Sequence, residues 1–209
     1  MKIFVTGTDT NVGKTVICSW LCYHLNYAYW KPVQTGSREE TDTKSLQKLA
    51  NQIICYTEQY IFEEPVSPHF AAKLNKADID LNKIDMPEVR NLIIEGAGGV
   101  LVPLNQNKLM IDLIQQLNTP VIIVARSSLG TINHTLLAIE ALRHRKIPIL
   151  GVILNHYVES DLILENKRAI ETYGQVSVLA EFPAYATLTP EYIQKTILPD
   201  KLRKAVNND

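Results

Sequence analysis

Residues 3–15, Ile-Phe-Val-Thr-Gly-Thr-Asp-Thr-Asn-Val-Gly-Lys-Thr, leave few options for the fold. A β-branched run enters a glycine-containing turn, and the turn enters the helical-period stretch Val16, Ile17, Trp20, Leu21 and Leu25. That is the strand–loop–helix setting of a phosphate-binding loop. N–H groups in such a loop and at the helix start lack intrahelical partners, and the helix dipole favours negative charge there. Lys14 adds a full cation and the Thr15 hydroxyl can ligate magnesium. The segment therefore predicts a nucleoside triphosphate site. Five residues instead of the usual four separate Gly7 from Gly13, which puts Thr8 where the first glycine normally stands.

The 209 residues suffice for one large α/β domain, and no linker divides them, so a single domain over 1–209 is expected. Candidate strands lie at 2–6, 27–32, 91–95, 121–125, 149–155 and 176–180. Most are nearly continuous apolar runs, as expected when helices cover both faces of a parallel sheet. Helical spacing marks 14–26, 109–117, 131–145, 160–173 and 190–205. The alternation predicts an α/β fold with a doubly wound, mostly parallel sheet and helices on both faces, as in P-loop NTPases. Ligands of such sheets sit in the crevice beyond the carboxyl ends of the strands. Residues 207–209, Asn-Asn-Asp, read as a frayed tail.

Twenty-one Lys+Arg against 22 Asp+Glu give a net charge of -1, with no basic stripe. The first residues lack a secretory h-region, and no apolar stretch approaches the ~18 residues of a membrane span. The expectations are small-molecule partners, no nucleic acid, no membrane and a cytoplasmic location. Cys18 and Cys22 stand one helical turn apart while Cys55 is isolated; without further zinc ligands they read as structural thiols.

The strand ends hold the remaining candidates. Lys31, in Trp-Lys-Pro-Val-Gln-Thr-Gly (30–36), lies at the edge where phosphates are expected. It reads either as a second cation for phosphoryl transfer or as a lysine snorkelling from a strand end. Glu95 precedes Gly96-Ala97-Gly98-Gly99; its carboxylate suits magnesium, and the glycines admit a ligand's close approach. Asp42 reads as solvated loop charge capping a helix that starts near Lys44. Ser-Ser-Leu-Gly-Thr-Ile-Asn-His (127–134) offers a second anion-ready helix start. His134 reads as a structural or interface histidine, and residues 143–146 as a solvated helix end.

Together, Gly-Thr-Asp-Thr-Asn-Val-Gly-Lys-Thr (7–15), Lys-Pro-Val-Gln-Thr-Gly (31–36), Pro-Val-Ser-Pro-His-Phe-Ala-Ala (65–72), Glu-Gly-Ala-Gly-Gly (95–99) and Leu-Gly-Thr-Ile-Asn-His (129–134) resemble the dethiobiotin synthetases over most of the chain. The long loop spacing is normal in that family. The resemblance implies a homodimeric ligase dependent on ATP and Mg2+, joining carbon dioxide (from bicarbonate) to 7,8-diaminononanoate to give dethiobiotin, ADP and phosphate. It implies Lys14 and Lys31 beside the carbamate and γ-phosphate, Thr35 at the substrate's reacting end, and Thr15, Asp42 and Glu95 on magnesium. Asp42 thereby rises from loop charge to ligand. The nucleotide would contact Asn11, Val12, Gly13, Lys14, Thr15, Val16, Asp42, Glu95, Gly96, Ala97, Gly98, Asn155 and His156. Thr10, Lys31, Thr35 and Gly98 would border the diamine, and Leu129, Gly130, Thr131 and Asn133 would receive its carboxylate across a subunit interface. Asn155 resembles the family's adenine-reading asparagine, whereas Asn11 stands where an acidic residue is expected.

Two other classes share the phosphate loop. The related ATP-dependent amidoligases carry a glutaminase domain with a nucleophilic cysteine, for which 209 residues leave no room. Partition and targeting ATPases want a second lysine in the loop and a basic or amphipathic surface element; this loop has only Lys14. Base selectivity is expected to be modest, because one Asn155 amide can reorient between the adenine and guanine edges. GTP and CTP would then fall within about two orders of magnitude of ATP.

Overall fold

The computed structural model describes residues 1–207. Its strands are β1 (Lys2–Gly7), β2 (Ala28–Trp30), β3 (Val33–Gln34), β4 (Cys55–Tyr56), β5 (Tyr60–Ile61), β6 (Leu92–Gly99), β7 (Val121–Arg126), β8 (Ile149–Tyr157) and β9 (Val178–Pro183). Its helices are α1 (Lys14–Leu25), α2 (Asp42–Leu49), α3 (Pro68–Leu74), α4 (Met110–Leu117), α5 (Thr131–His144), α6 (Asp161–Gly174), α7 (Pro190–Lys195) and α8 (Asp200–Asn207). Seven strands form one sheet in the order β4-β2-β6-β1-β7-β8-β9, with β3 and β5 pairing separately. Every strand pair is parallel. This is the doubly wound α/β sheet that the alternation predicts.

Side chains alternate across a strand, so β1 feeds two cores. Ile3 and Val5 meet Ile17, Trp20 and Leu21 of α1, Leu46 of α2, Ile193 of α7 and Leu202 of α8. Phe4 faces the other side with Ile114 of α4, Ile139 of α5 and Ile170 of α6. Burying each such large apolar side chain contributes about 1.5–3 kcal/mol, which explains why these strands are apolar on both faces. The chain leaves β1 for β2 on one side, returns to β6 beside it, then steps to β7 on the other. The order reverses at β1, and there a doubly wound sheet opens its ligand crevice.

Several boundaries differ from the sequence reading. The helix expected over 190–205 is two helices, because Pro199 has no N–H to continue the first; its carbonyl instead accepts from Leu202 and Arg203 as α8 begins. Asn207 ends α8 and is not part of a frayed tail, while residues 208 and 209 lie outside the described residues. The strand expected over 91–95 continues to Gly99, since Gly7 of β1 pairs with Gly99. The strand expected over 27–32 is only Ala28–Trp30, and the one expected over 176–180 lies at Val178–Pro183. Cys18 and Cys22 are fully buried, as expected of structural thiols, and Cys55 is half-buried. Among the described residues no helix is long and apolar enough to cross a membrane.

Candidate active site

The loop between β1 and α1 carries Asn11 at φ 55 and Gly13 at φ 91. Asparagine tolerates this left-handed region better than most residues. Gly13 starts α1 without any side-chain cap, so the first helical N–H groups stay free for an anion. A Cβ on Gly13 would stand 1.9 Å from Asn155 Nδ2; only glycine fits. Lys14 Nζ folds back to donate to the Asp9 carbonyl at 3.1 Å. Burial lowers the Lys14 pKa, with the Glu95 carboxylate opposing.

Sheet register explains how the second lysine reaches this loop. Trp30 pairs with Ile94 and Val5 with Glu95, so Lys31 emerges beside Glu95. Lys31 Nζ lies 2.5 Å from Asp42 Oδ2 and 3.0 Å from Glu95 Oε1. Thr15 Oγ1 donates to the same Glu95 oxygen at 2.9 Å, and the Tyr29 hydroxyl donates to Glu95 Oε2 at 2.9 Å. Lys31 is only 4% exposed and Glu95 1%. Burial pulls the Lys31 pKa down, but Glu95 and Asp42 outweigh it and hold the value above that of an ordinary lysine. Burial likewise pushes Asp42 up, yet Lys31 prevails and keeps its carboxyl below the usual range. Lys31 is therefore a buried, doubly paired cation and not a snorkelling one. Asp42 opens α2 itself, earlier than the start near Lys44, with Gln34 Oε1 accepting from its backbone N–H at 3.0 Å. It is not free loop charge.

Above these groups lies a cavity of about 830 Å³. Thr10, Asn11, Gly13, Lys14, Thr15, Val16, Lys31, Thr35, Asp42, Glu95, Ala97, Gly98 and His156 all line it, as do Gln34, residues 65–68 and Tyr185. Three residues expected at the nucleotide do not line it. Val12 and Asn155 are buried behind the loop, and Gly96 is packed so tightly that a Cβ would meet the Phe4 ring at 2.7 Å. Leu129 and Thr131 lie elsewhere, in a pocket of about 70 Å³ shared with Thr8, Asp9, Arg126 and His134. Gly130 starts α5 at φ 91 with no side-chain cap, and Asn133 is exposed. Within one chain this helix start is thus outside the large cavity.

Sequence reasoning missed Tyr29 and Tyr185. Period-two alternation puts Tyr29 on the face of Lys31 and could have found it. Tyr185 belongs to the loop after β9, whose sequence reads as poor in base-reading groups; its ring packs tilted against His156, with centroids 4.4 Å apart at 35°. Burial raises the Tyr185 pKa, with the neighbouring Asn155 side chain opposing. The Asn155 amide, moreover, is not free to reorient: its Nδ2 donates to the Val12 carbonyl at 2.8 Å.

Asp42 and Glu95 bring carboxylate oxygens to one cation, the Lys31 ammonium, and the Thr15 hydroxyl donates to the same Glu95 oxygen. An all-oxygen set with two carboxylates suits magnesium when phosphate oxygens and water complete the shell. The residues therefore fit that ion.

Sheet order, uncapped loop and paired lysine define a P-loop nucleotide-binding fold of the ATPase class. A family model described as an AAA domain matches residues 1–192. Among solved structures, a ParA family ATPase from Chlorobium tepidum superposes with a TM-score of 0.59, 13% identity and 99% and 98% of the two chains covered. The septum site-determining protein MinD from Pyrococcus horikoshii gives 0.57 at 18% identity, covering 98% and 91%. Those likenesses carry the fold alone. The ATP-dependent dethiobiotin synthetase of Lawsonia intracellularis is 47% identical over 98% of this chain and 98% of its own length. That of Neorickettsia sennetsu is 41% identical over 97% and 94%. The chain belongs to the ATP-dependent dethiobiotin synthetases.

Proposed function

We propose that this chain joins carbon dioxide to 7,8-diaminononanoate at the expense of ATP, closing the ureido ring of dethiobiotin. One observation carries the reading of the site: two lysines and three oxygen ligands gather at the end of one phosphate-binding cavity. Thr15, Asp42 and Glu95 would hold magnesium, whose charge when bound offsets that of the triphosphate. The uncapped start of α1 and Lys14 bind the phosphates. Thr35, beside Lys31 on the cavity wall, orients the reacting amines, with Thr10 and Gly98 bordering the diamine.

One substrate amine attacks carbon dioxide, loses a proton and becomes a carbamate. A carbamate oxygen attacks the γ-phosphorus as the bond to the β–γ bridging oxygen breaks, releasing ADP. The second amine then adds to the carbamoyl carbon, the carbon–oxygen bond to phosphate breaks, and phosphate leaves as the ring closes. Each step gathers anionic oxygen. Lys31 would supply a fixed cation beside the transferring group and act by electrostatics.

The substrate carboxylate would be received by the start of α5 from a second copy, making the enzyme a homodimer acting in the cytoplasm, with no nucleic acid or membrane partner. The chemistry is tested by a single turnover begun with 18O-labelled carbon dioxide in ordinary water. The released phosphate should carry one labelled oxygen from the carbamate. Unlabelled phosphate would mean that the carbamate never attacks phosphorus.

A further inference from the structure

Glu95 divides its two oxygens between the cavity and the core. Oε1 accepts from Thr15 Oγ1 at 2.9 Å and from Lys31 Nζ at 3.0 Å, and both donors belong to residues lining the large cavity. Oε2 accepts from the Tyr29 hydroxyl at 2.9 Å. Tyr29 lies outside that cavity, fully shielded from solvent, and shares a core with Ile17, Leu21 and Ile93. The Cys18 thiol also lies beside the carboxylate, but a thiol donates only weakly.

The sheet holds the phenol in place. Tyr29 pairs with Ile93 of β6 and with Cys55 of β4, and the Ile54 carbonyl accepts from its backbone N–H at 2.9 Å. A ring so placed in a close-packed core has no room to swing. Turning Oε2 away from it would leave a buried hydroxyl without its partner, so that oxygen is costly to withdraw. The other oxygen faces the cations. This division matters because a carboxylate can meet a metal ion with one oxygen or with both. Calcium accepts bidentate carboxylates in a flexible shell, whereas magnesium demands near-octahedral geometry and keeps several waters.

We propose that Tyr29 is a positioning residue for the metal: by keeping Glu95 Oε2 in the core it leaves Oε1 alone for the cation, and so tilts the site toward magnesium and against calcium. This rests on the reading of Thr15, Asp42 and Glu95 as magnesium ligands and deepens it. With Oε2 released, Glu95 can turn both oxygens to the cavity, a chelate that suits calcium better than magnesium. Groups that orient a metal ligand from behind typically change metal affinity by about 10–100-fold when they are removed. A tyrosine kept only to fill the core would leave the choice of metal unchanged on losing its hydroxyl.

Calorimetric titration with ADP separates the two roles when it is run with magnesium, with calcium, and with a chelator in place of either metal. In Tyr29→Phe, ADP affinity in magnesium should fall by about tenfold or more, affinity in calcium should change far less, and affinity in the chelator should match the wild type. An equal loss under all three conditions would make Tyr29 structural and overturn the proposal, as would a preference for magnesium over calcium that survives the substitution. If the variant does not fold, the wild type decides: ADP affinities that are equal in magnesium and calcium, and higher there than in the chelator, would overturn the preference while leaving the metal site standing. Wild-type ADP binding that is the same under all three conditions would overturn the magnesium reading as well.

Discussion

Lys31 is the side chain on which the chemistry turns, because among the described residues it is the cation held by both carboxylates expected at the metal. Its ammonium lies against Asp42 and Glu95, at the point where the two carboxylates and Thr15 converge. Magnesium, when bound, would share these oxygens with Lys31, which stays tethered at the end of β2. Lys31→Met keeps most of the side-chain volume and removes the charge. It should lower kcat by about 10²–10³ while nucleotide affinity changes only a few-fold, since the charge is needed chiefly as the transferring group becomes more anionic. Steady-state kinetics beside calorimetric ATP binding separate the two quantities. Near-normal turnover would return Lys31 to a structural role. From sequence, Lys31 and Asp42 each carry an innocent reading as strand-end lysine and helix-capping aspartate. Neither spacing nor composition reports that they touch; the family resemblance implies only a shared site, Lys31 at the γ-phosphate and Asp42 on magnesium, and the contact itself comes from the geometry.

At the scale of elements, the site depends on how β2 is fastened to β6. Tyr29 and Lys31, on the same face of the strand end, both bond to Glu95. Glu95 in turn receives Thr15 from the start of α1. Tyr29→Phe leaves the ring packed but removes a buried donor to a charged acceptor, and should cost about 1.5–3 kcal/mol in urea-induced unfolding. An unchanged midpoint would mean that water or another group satisfies Glu95 equally well. The β1–loop–α1 unit was readable because a long apolar run, a glycine turn and a helical period adjoin in the chain. β3, β4 and β5 were not, since two residues carry no period. The break near Pro199 is legible, because a proline inside a helical period interrupts it. Asn155 shows a different limit: the strand end can be read, but the carbonyl that orients its amide is far away in sequence.

At the scale of the molecule, the proposed homodimer would set the start of α5 between copies. Leu129 is 86% exposed and Leu137, on the same helix, 61%, and the nearby pocket lies apart from the main cavity. Leu137→Glu should therefore convert a dimer into monomers by sedimentation and lose activity with it, because each substrate would span two chains. A fully active monomer would remove the shared site.

The central claim joins fold, site and family: hydrolysis of ATP here is tied to ring closure. It is tested most directly by measuring phosphate and dethiobiotin together, with the diamine and bicarbonate supplied singly and jointly. The account expects negligible phosphate with either alone and one phosphate per dethiobiotin with both. Phosphate release at the full rate without the diamine would contradict it.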